Sequence, residues 1–232
     1  MRFELYETVR YSQTDGKLRL TVPALLDYFQ DVATLQAEEA GVSAMALAKR
    51  KLAWFLISWN VEITRLPVHA EKVIAGTFPY YFHSRLGSRN CYLKTPDGEW
   101  LAKADCLWAM MDREKGRMIP IPDDVAQAYE TEEKLPMEYF GRRIDLPEGM
   151  TAGEPIAVRA ENIDYHGHVN NSQYIHMIRP LLPETISRIR IEYKRQTRLG
   201  EWLTPMTKEE NGVTFIALCA DGEPHVNIEI TH

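Results

Sequence analysis

An early segment of the chain repeats apolar residues with the spacing of an amphipathic helix. Thr21 is a suitable N-cap, Pro23 falls in the first turn where its missing N–H costs little, and Gly41 provides a C-terminal stop. A short strand over residues 3–12 precedes this helix, and a second short helix is predicted over residues 42–51. The apolar helix face contains Val22, Leu25, Leu26, Phe29 and Ala33.

The pattern changes from residue 52 onward, where β-branched and aromatic residues become frequent. The turn at residues 95–98, TPDG, is a strong hairpin signal. The first half therefore predicts a strand, a long helix and then four antiparallel strands. These four strands are expected at about residues 52–65, 72–83, 88–95 and 100–112.

The second half repeats the order of elements found in the first. Both halves place a strand end, an Asp and a helix in succession, which indicates an internal duplication. We predict an N-terminal unit over residues 1–130, a connector over 131–150 and a C-terminal unit over 151–232. The aligned segments are 9–15 with 158–164, 61–65 with 191–195, and 97–99 with 221–223.

Composition and charge narrow the class of protein. The 232 residues are 45% hydrophobic with a formal net charge of −6, which favours a globular fold and disfavours a broad nucleic-acid-binding surface. The longest clean apolar run has eight residues, too few to span a membrane. Cys91, Cys106 and Cys219 are far apart without a CxxC pair, and no signal peptide is evident, so we expect reduced thiols in a cytoplasmic protein.

One segment concentrates chemically active side chains just ahead of a predicted helix. It contains Asp164, His166 and His168, followed by Asn170 and Asn171, either of which suits the N-cap. The start of a helix has free N–H groups that can stabilise an oxyanion. A carboxylate and imidazoles beside such donors are the groups needed for general-base hydrolysis of an acyl group, with water as the nucleophile.

The segment DYHGHVNNSQY, residues 164–174, resembles the D-x-N-x-H-V-N-N-x-x-Y motif of acyl-ACP thioesterases, which release fatty acids from acyl carrier protein (ACP). The resemblance extends to IEYKR at 191–195 and to RYSQTD at 10–15, and covers most of residues 4–231. It implies an α+β tandem hotdog fold, each half a long helix wrapped by an antiparallel sheet. It also implies hydrolysis of acyl-ACP to free fatty acid and ACP in fatty acid biosynthesis, with ACP as partner and no cofactor.

The motif of this chain departs from the family pattern at three positions. Asp164 and His168 match catalytic positions of the family, whereas His166 stands where the family has Asn. Gln196 and Thr197 stand where the family has a second acid and often a Cys. Our hypothesis is that Asp164, His166 or His168 acts as the base in their place, since an imidazole has an unperturbed pKa near neutrality.

Other functions remain open from the sequence alone. An acyl-CoA thioesterase, a hotdog hydratase or dehydratase, and a non-catalytic acyl-binding protein are alternatives. Asp164 could also be a turn residue, and His166 with His168 could be a metal pair, although the only further ligand types nearby are Asp164 and His176. We expect no metal and no cofactor.

Binding of an acidic carrier protein by an acidic chain needs a local basic patch. A fused pair of units further predicts a monomer or a homodimer, and we expect no nucleic-acid partner and no membrane span. The predicted patch consists of Arg142, Arg143, Arg188, Arg190, Lys194, Arg195 and Arg198, with Arg188, Arg190 and Lys194 on one strand face. The predicted lining of an acyl tunnel consists of Trp54, Phe55, Leu56, Ile57, Trp59, Phe78, Tyr80 and Phe82.

Overall fold

A computed structural model describes residues 2–232 and divides the chain into two compact units. Unit 1 comprises the residues up to 57 together with 61–139, and unit 2 comprises 58–60 together with 140–232. Each unit contains antiparallel strands and at least one helix.

Unit 1 follows the predicted order of strand, long helix and four strands. Its strands pair in the order β1-β3-β4-β5-β2, with β6 added to β5. Its elements are β1 Phe3–Thr8, α1 Val22–Glu39, α2 Ala44–Lys49, β2 Leu52–Ile63, β3 Lys72–His83, β4 Leu86–Lys94, β5 Trp100–Asp112, β6 Arg117–Met118 and α3 Asp123–Gln127.

Helix α1 forms as its sequence predicts. The Thr21 side chain accepts a hydrogen bond from the Ala24 N–H at 3.3 Å, and Gly41 adopts φ +73° just beyond the end, where a residue with a Cβ would be strained. Leu25, Phe29 and the rest of the predicted apolar face are buried, and the helix packs on β3 and β4. Burial of this face supplies the main stabilisation of the helix.

Unit 2 has the same plan with a shorter helix. Its strands pair in the order β9-β12-β11-β10, and β7 and β8 both pair with β10. Its elements are β7 Thr151–Ala152, β8 Ile156–Ala157, α4 Asn171–Met177, β9 Arg188–Tyr193, β10 Trp202–Glu210, β11 Val213–Ala220 and β12 Glu223–Thr231.

The helix of unit 2 is shorter than the long helix that we predicted for each half. Helix α4 has seven residues, and a 3₁₀ turn over Arg179–Leu181 follows it directly. Pro180 has no N–H to donate and its ring obstructs the preceding turn, so the α-helical hydrogen bonds stop before it.

The segment predicted as a connector divides between the units. Residues up to 139 lie against unit 1, where the Leu135 N–H donates to Asn90 Oδ1 at 3.0 Å. The residues from 140 onward lie against unit 2, where the Ile144 N–H donates to Glu192 Oε2 at 3.1 Å. The domain boundaries at 130 and 151 stay predictions.

The aligned segments repeat the same backbone hydrogen bonds, a set that we call the shared frame. Before the helix, the Asp15 N–H donates to the Arg19 carbonyl at 2.8 Å, and the Asp164 N–H donates to the His168 carbonyl at 2.9 Å. Further pairs of equivalent bonds are Thr21 N–H to Gln13 O with Asn170 N–H to Asn162 O, Leu20 N–H to Pro67 O with Val169 N–H to Thr197 O, and Val9 N–H to Glu71 O with Val158 N–H to Glu201 O.

Candidate active site

The loop between the 3₁₀ turn Ala160–Asn162 and helix α4 brings the predicted acid and imidazoles together. An isolated antiparallel bridge joins Ile163 to Val169, and inside it Asp164 donates its N–H to the His168 carbonyl at 2.9 Å. Gly167 closes the turn at φ +81° and donates its N–H to the Asp164 carbonyl at 3.0 Å. Asp164 and His168 therefore lie at the base of one tight turn, with their backbones one hydrogen bond apart.

The Asp164 carboxylate uses one oxygen to hold the turn. Oδ1 accepts the N–H of His166 at 2.8 Å, which is the geometry of an Asx turn. Oδ2 is the oxygen that this turn does not use. The half-buried carboxylate can therefore accept a further hydrogen bond or polarise a neighbouring imidazole.

The two histidines of the loop have different surroundings. The His166 ring lies against the ring of Tyr165, with centroids 3.8 Å apart, and Tyr165 itself is largely exposed. His168 is half-buried and directly precedes Val169, whose N–H binds the Thr197 carbonyl at 2.9 Å. The His168 backbone is thus joined to Asp164 through its own carbonyl and to Thr197 through the next residue, Val169.

The start of helix α4 is capped by the first of the two predicted amides. Asn170 Oδ1 accepts the N–H of Ser172 at 3.1 Å, and the Asn170 carbonyl accepts the N–H of Gln173 at 2.9 Å. Asn171 is the first helical residue, and its carbonyl accepts the hydroxyl of Tyr193 at 3.0 Å. The N–H groups of Ser172 and Gln173 are already hydrogen-bonded. The N–H of Asn171 is therefore the group to which we assign the predicted oxyanion role.

The positions where the family has a second acid lie at the end of β9. Gln196 is exposed, whereas Thr197 is completely buried. The Thr197 hydroxyl lies 2.7 Å from Nδ1 of His225, which comes from β12. The polar group that meets this strand end is therefore an imidazole from elsewhere in unit 2.

Sequence reasoning missed His225 because it carries no motif and lies far along the chain from residues 164–171. It is 7% exposed, and burial lowers the pKa of its imidazole, with Glu201 opposing that effect. Nearby, burial raises the pKa of the Tyr174 hydroxyl to about 12, and the polar groups of Thr197 oppose that rise. By alternation His225 shares the face of Asn227 and Glu229, opposite Ile228 and Ile230, and its burial at a register irregularity of β12 is evident only from the structure.

The predicted basic patch is wrong at Arg190. Its Nη1 binds both carboxylate oxygens of Glu229 at 2.9 Å, and its Nη2 donates to the carbonyls of Gly141 and Arg143 at 3.0 Å. The guanidinium also lies 4.7 Å from the Phe140 ring. These contacts fix residues 140–143 to unit 2 and leave Arg190 unavailable to a partner.

The cations that follow β9 are more accessible. Lys194 and Arg198 are exposed, and Arg195 is exposed with Glu223 at 3.5 Å. In sequence they flank Gln196 and Thr197, whose backbone binds the end of the loop. They form the part of the predicted patch that can still meet an acidic partner.

Several predicted tunnel residues are packed in the core of unit 1. Phe78 is fully buried beside Tyr92, with ring centroids 6.4 Å apart. Phe82 lies between Trp54 and Tyr129, at centroid distances of 6.3 and 5.8 Å. Their contacts are those of core side chains, and a lining role stays a prediction.

Within residues 2–232, no group of three or more His, Cys, Asp or Glu side chains is arranged to hold a metal ion. No helix in that range combines the length and apolar composition needed to cross a membrane.

Comparison with known proteins agrees with the resemblance seen in the loop. Residues 3–129 match the N-terminal domain of acyl-ACP thioesterases, and residues 148–232 match the C-terminal domain. The chain belongs to the acyl-ACP thioesterase family. The two matches together cover both units and include the whole of the loop.

Individual proteins of known name are similar to this chain in sequence or in fold. A chloroplastic acyl-[acyl-carrier-protein] hydrolase of Cuphea viscosissima is 23% identical over 211 residues, 81% of this chain and 50% of the relative. The chain thus spans about half the length of such relatives. An acyl-ACP thioesterase from Bacteroides thetaiotaomicron has a TM-score of 0.90 at 20% identity, covering 99% of this chain and 97% of that one.

A 12:0-ACP thioesterase from Umbellularia californica has a TM-score of 0.85 at 18% identity, covering 99% of this chain and 96% of the other. At these identities the likeness shows the fold. The predicted α+β tandem hotdog is confirmed.

Proposed function

We propose that this chain is a thioesterase that hydrolyses fatty acyl-ACP to free fatty acid and ACP. The observation that carries the proposal is the turn of unit 2, which holds Asp164 and His168 together in the family's motif order. The family matches over residues 3–129 and 148–232 support it.

In this proposal His168 is the general base. An imidazole titrates near neutrality, whereas an ordinary carboxylate is too weak a base to take a proton from water at pH 7. Water adds to the thioester carbonyl carbon and gives a proton to the His168 ring. The carbon–sulfur bond then breaks, and the same proton passes to the leaving thiolate to give the free thiol of the carrier.

The remaining residues of the turn support this step. The Asp164 carboxylate, at the base of the same turn, stabilises the transient imidazolium as carboxylates do in hydrolytic triads. The Asn171 N–H stabilises the oxyanion of the tetrahedral intermediate. His166 stands where the family has an amide. In this proposal His166 provides, besides His168, a second polar side chain next to the thioester.

The proposed partner is the acidic carrier protein, which Lys194, Arg195 and Arg198 would meet beside the loop. Exposed charges are screened within about 8 Å at physiological salt, so affinity for the carrier should fall as salt rises. A flat response to salt would argue against this patch. A cytoplasmic location and a monomeric or dimeric state stay predictions.

A non-catalytic acyl-binding protein is the second candidate, favoured by Gln196 and Thr197 in place of an acid and a thiol. The test is thiol release from a series of acyl-ACP chain lengths, run beside the same acyl chains on CoA. Faster thiol release from acyl-ACP than from acyl-CoA supports the proposal. Faster release from acyl-CoA would show that CoA, and not ACP, carries the acyl chain of the substrate. Saturable binding without thiol release would establish the second candidate.

A further inference from the structure

Three buried polar side chains lie together beneath the loop of unit 2. Tyr174, Thr197 and His225 are 2%, 0% and 7% exposed. The Thr197 hydroxyl lies 2.7 Å from His225 Nδ1, and the polar groups of Thr197 lie close enough to the Tyr174 hydroxyl to oppose the rise in its pKa. We call these three residues the buried trio.

The shared frame identifies the residue of unit 1 that occupies the place of His225. The His225 carbonyl accepts the N–H groups of residues 194 and 195 at 2.8 and 3.1 Å. The Leu101 carbonyl accepts those of residues 64 and 65 at 2.9 and 3.3 Å. Leu101 is therefore the counterpart of His225, and it is completely buried.

The same comparison places Pro67 opposite Thr197. The Pro67 carbonyl accepts the Leu20 N–H at 2.8 Å, and the Thr197 carbonyl accepts the Val169 N–H at 2.9 Å. Both residues are buried, but Pro67 has neither a hydroxyl nor an N–H to donate. Unit 1 thus forms this strand end without any side-chain hydrogen bond from position 67.

Tyr174 also has an apolar counterpart. It is the fourth residue after the cap Asn170, and Leu25 is the fourth residue after the cap Thr21. Leu25 is completely buried. Unit 1 therefore builds the shared frame on an apolar trio, whereas unit 2 builds it on a polar one.

Burying hydroxyl and imidazole groups is unfavourable unless they bind one another, so an apolar trio is the simpler way to stabilise this frame. Since unit 1 shows that the frame forms with apolar residues, the fold alone does not explain the polar trio. We propose that Tyr174, Thr197 and His225 form a positioning cluster that fixes His168 for the reaction. This inference rests on the proposed function of the loop.

Thr197 connects the buried trio to His168. The Thr197 side chain is held by His225, the Tyr174 hydroxyl lies beside it, and the Thr197 carbonyl accepts the N–H of Val169. Val169 directly follows His168, so a movement of Thr197 displaces the imidazole. A displacement of about 1 Å at a reacting group can cost about 100-fold in rate.

The test compares His225→Leu and Thr197→Val, alone and together, with wild type. His225→Leu installs the residue that unit 1 carries at this place, so the fold is expected to survive. We expect kcat for acyl-ACP to fall about 10- to 100-fold with KM nearly unchanged. The double variant should be no slower than the slower single variant, because both act through the same contact.

Two further variants separate positioning from general destabilisation. Thr197→Ser keeps the hydroxyl and should retain most of the wild-type kcat. Leu101→Val makes a comparable buried change at the counterpart position in unit 1 and should leave kcat unchanged. Tyr174→Phe removes a single hydroxyl and serves if His225→Leu fails to fold.

A readout that needs no turnover distinguishes this inference from the proposed function. In histidine side-chain NMR spectra, His225→Leu should shift the ring signals of His168, while Leu101→Val should not. Unshifted His168 signals, or a kcat within twofold of wild type in folded His225→Leu and Tyr174→Phe, would overturn the positioning role. Absent turnover in wild type with shifted His168 signals would remove the thioesterase proposal alone.

Discussion

The loops before helices α1 and α4 have the same backbone hydrogen bonds but use their Asp residues differently. In unit 1, Asp15 Oδ1 accepts the N–H groups of Lys17 and Arg19 at 2.8 and 2.9 Å, and Oδ2 lies 3.1 Å from the Arg19 guanidinium. These contacts lower the pKa of Asp15 despite the opposing effect of burial. In unit 2, Asp164 Oδ1 accepts the N–H of His166 at 2.8 Å, and no arginine follows at the fourth position.

The position that decides this difference is the fourth residue after the Asp. Unit 1 has Arg19 there, which is permanently charged and occupies the carboxylate. Unit 2 has His168, which can gain and lose a proton near neutral pH. One loop geometry thus serves as a structural ion pair in unit 1 and is open to acid–base chemistry in unit 2.

The largest expected effect comes from giving unit 2 the residue of unit 1. His168→Arg should lower kcat for acyl-ACP by about 10²–10⁴-fold, because the base is lost and the new guanidinium occupies Asp164. Stability should stay within about 1 kcal/mol of wild type, as expected for a partly exposed ion pair. Thiol release and thermal melting measure the two effects, and a variant with unimpaired turnover would exclude His168 as the base.

The helix caps allow a matched comparison with a smaller effect. Asn170→Ala and Thr21→Ala should each lower the free energy of unfolding by about 1 kcal/mol, because each removes a side-chain acceptor from a helix start. Only Asn170→Ala should also lower kcat, since Asn170 fixes the start of α4 beside His168. Equal decreases of kcat in both variants would argue that removing a helix cap lowers kcat only by destabilising the protein. Denaturant titration and steady-state kinetics provide the two quantities.

The smallest expected effect is on the pH dependence of stability. Unit 2 contributes to it through His225, whereas the counterpart in unit 1 is Leu101, which does not titrate. Burial lowers the pKa of His225 below its usual 6.5, with Glu201 and Asp221 opposing and Arg195 assisting. The unfolded chain therefore binds more protons near this pKa, and stability should fall as pH drops below about 6.5. His225→Leu should flatten this slope in melting curves. An unchanged slope would mean that other groups produce it.

Much of the fold follows from local sequence patterns. The spacing of Leu25 and Phe29, the cap at Thr21 and the TPDG turn each depend on neighbours in the chain, and the structure confirms them. The motif likewise places Asp164 and His168 in one short loop. Pro180 predicts a kink or an end of the second helix, but the tandem plan predicts a long helix in each half, and α4 has only seven residues.

Other features depend on contacts between residues far apart in sequence. His225 reaches Thr197 only because β12 pairs with β9, and Arg190 is occupied only because Glu229 lies beside it on the neighbouring strand. No local pattern indicates such pairs. Three short alignments in the sequence predict that the two halves are related. The equivalent backbone hydrogen bonds of the shared frame are evident only from the structure.

The most direct measurement compares the two aspartates in a single-turnover assay of thiol release from acyl-ACP. Asp164→Asn should slow the chemical step by at least about 100-fold, because it removes the carboxylate beside the proposed base. Asp15→Asn should leave the rate per folded molecule within about twofold of wild type, although it loosens an ion pair and lowers the melting temperature. Similar rates for the two variants would contradict the assignment of chemistry to the loop of unit 2.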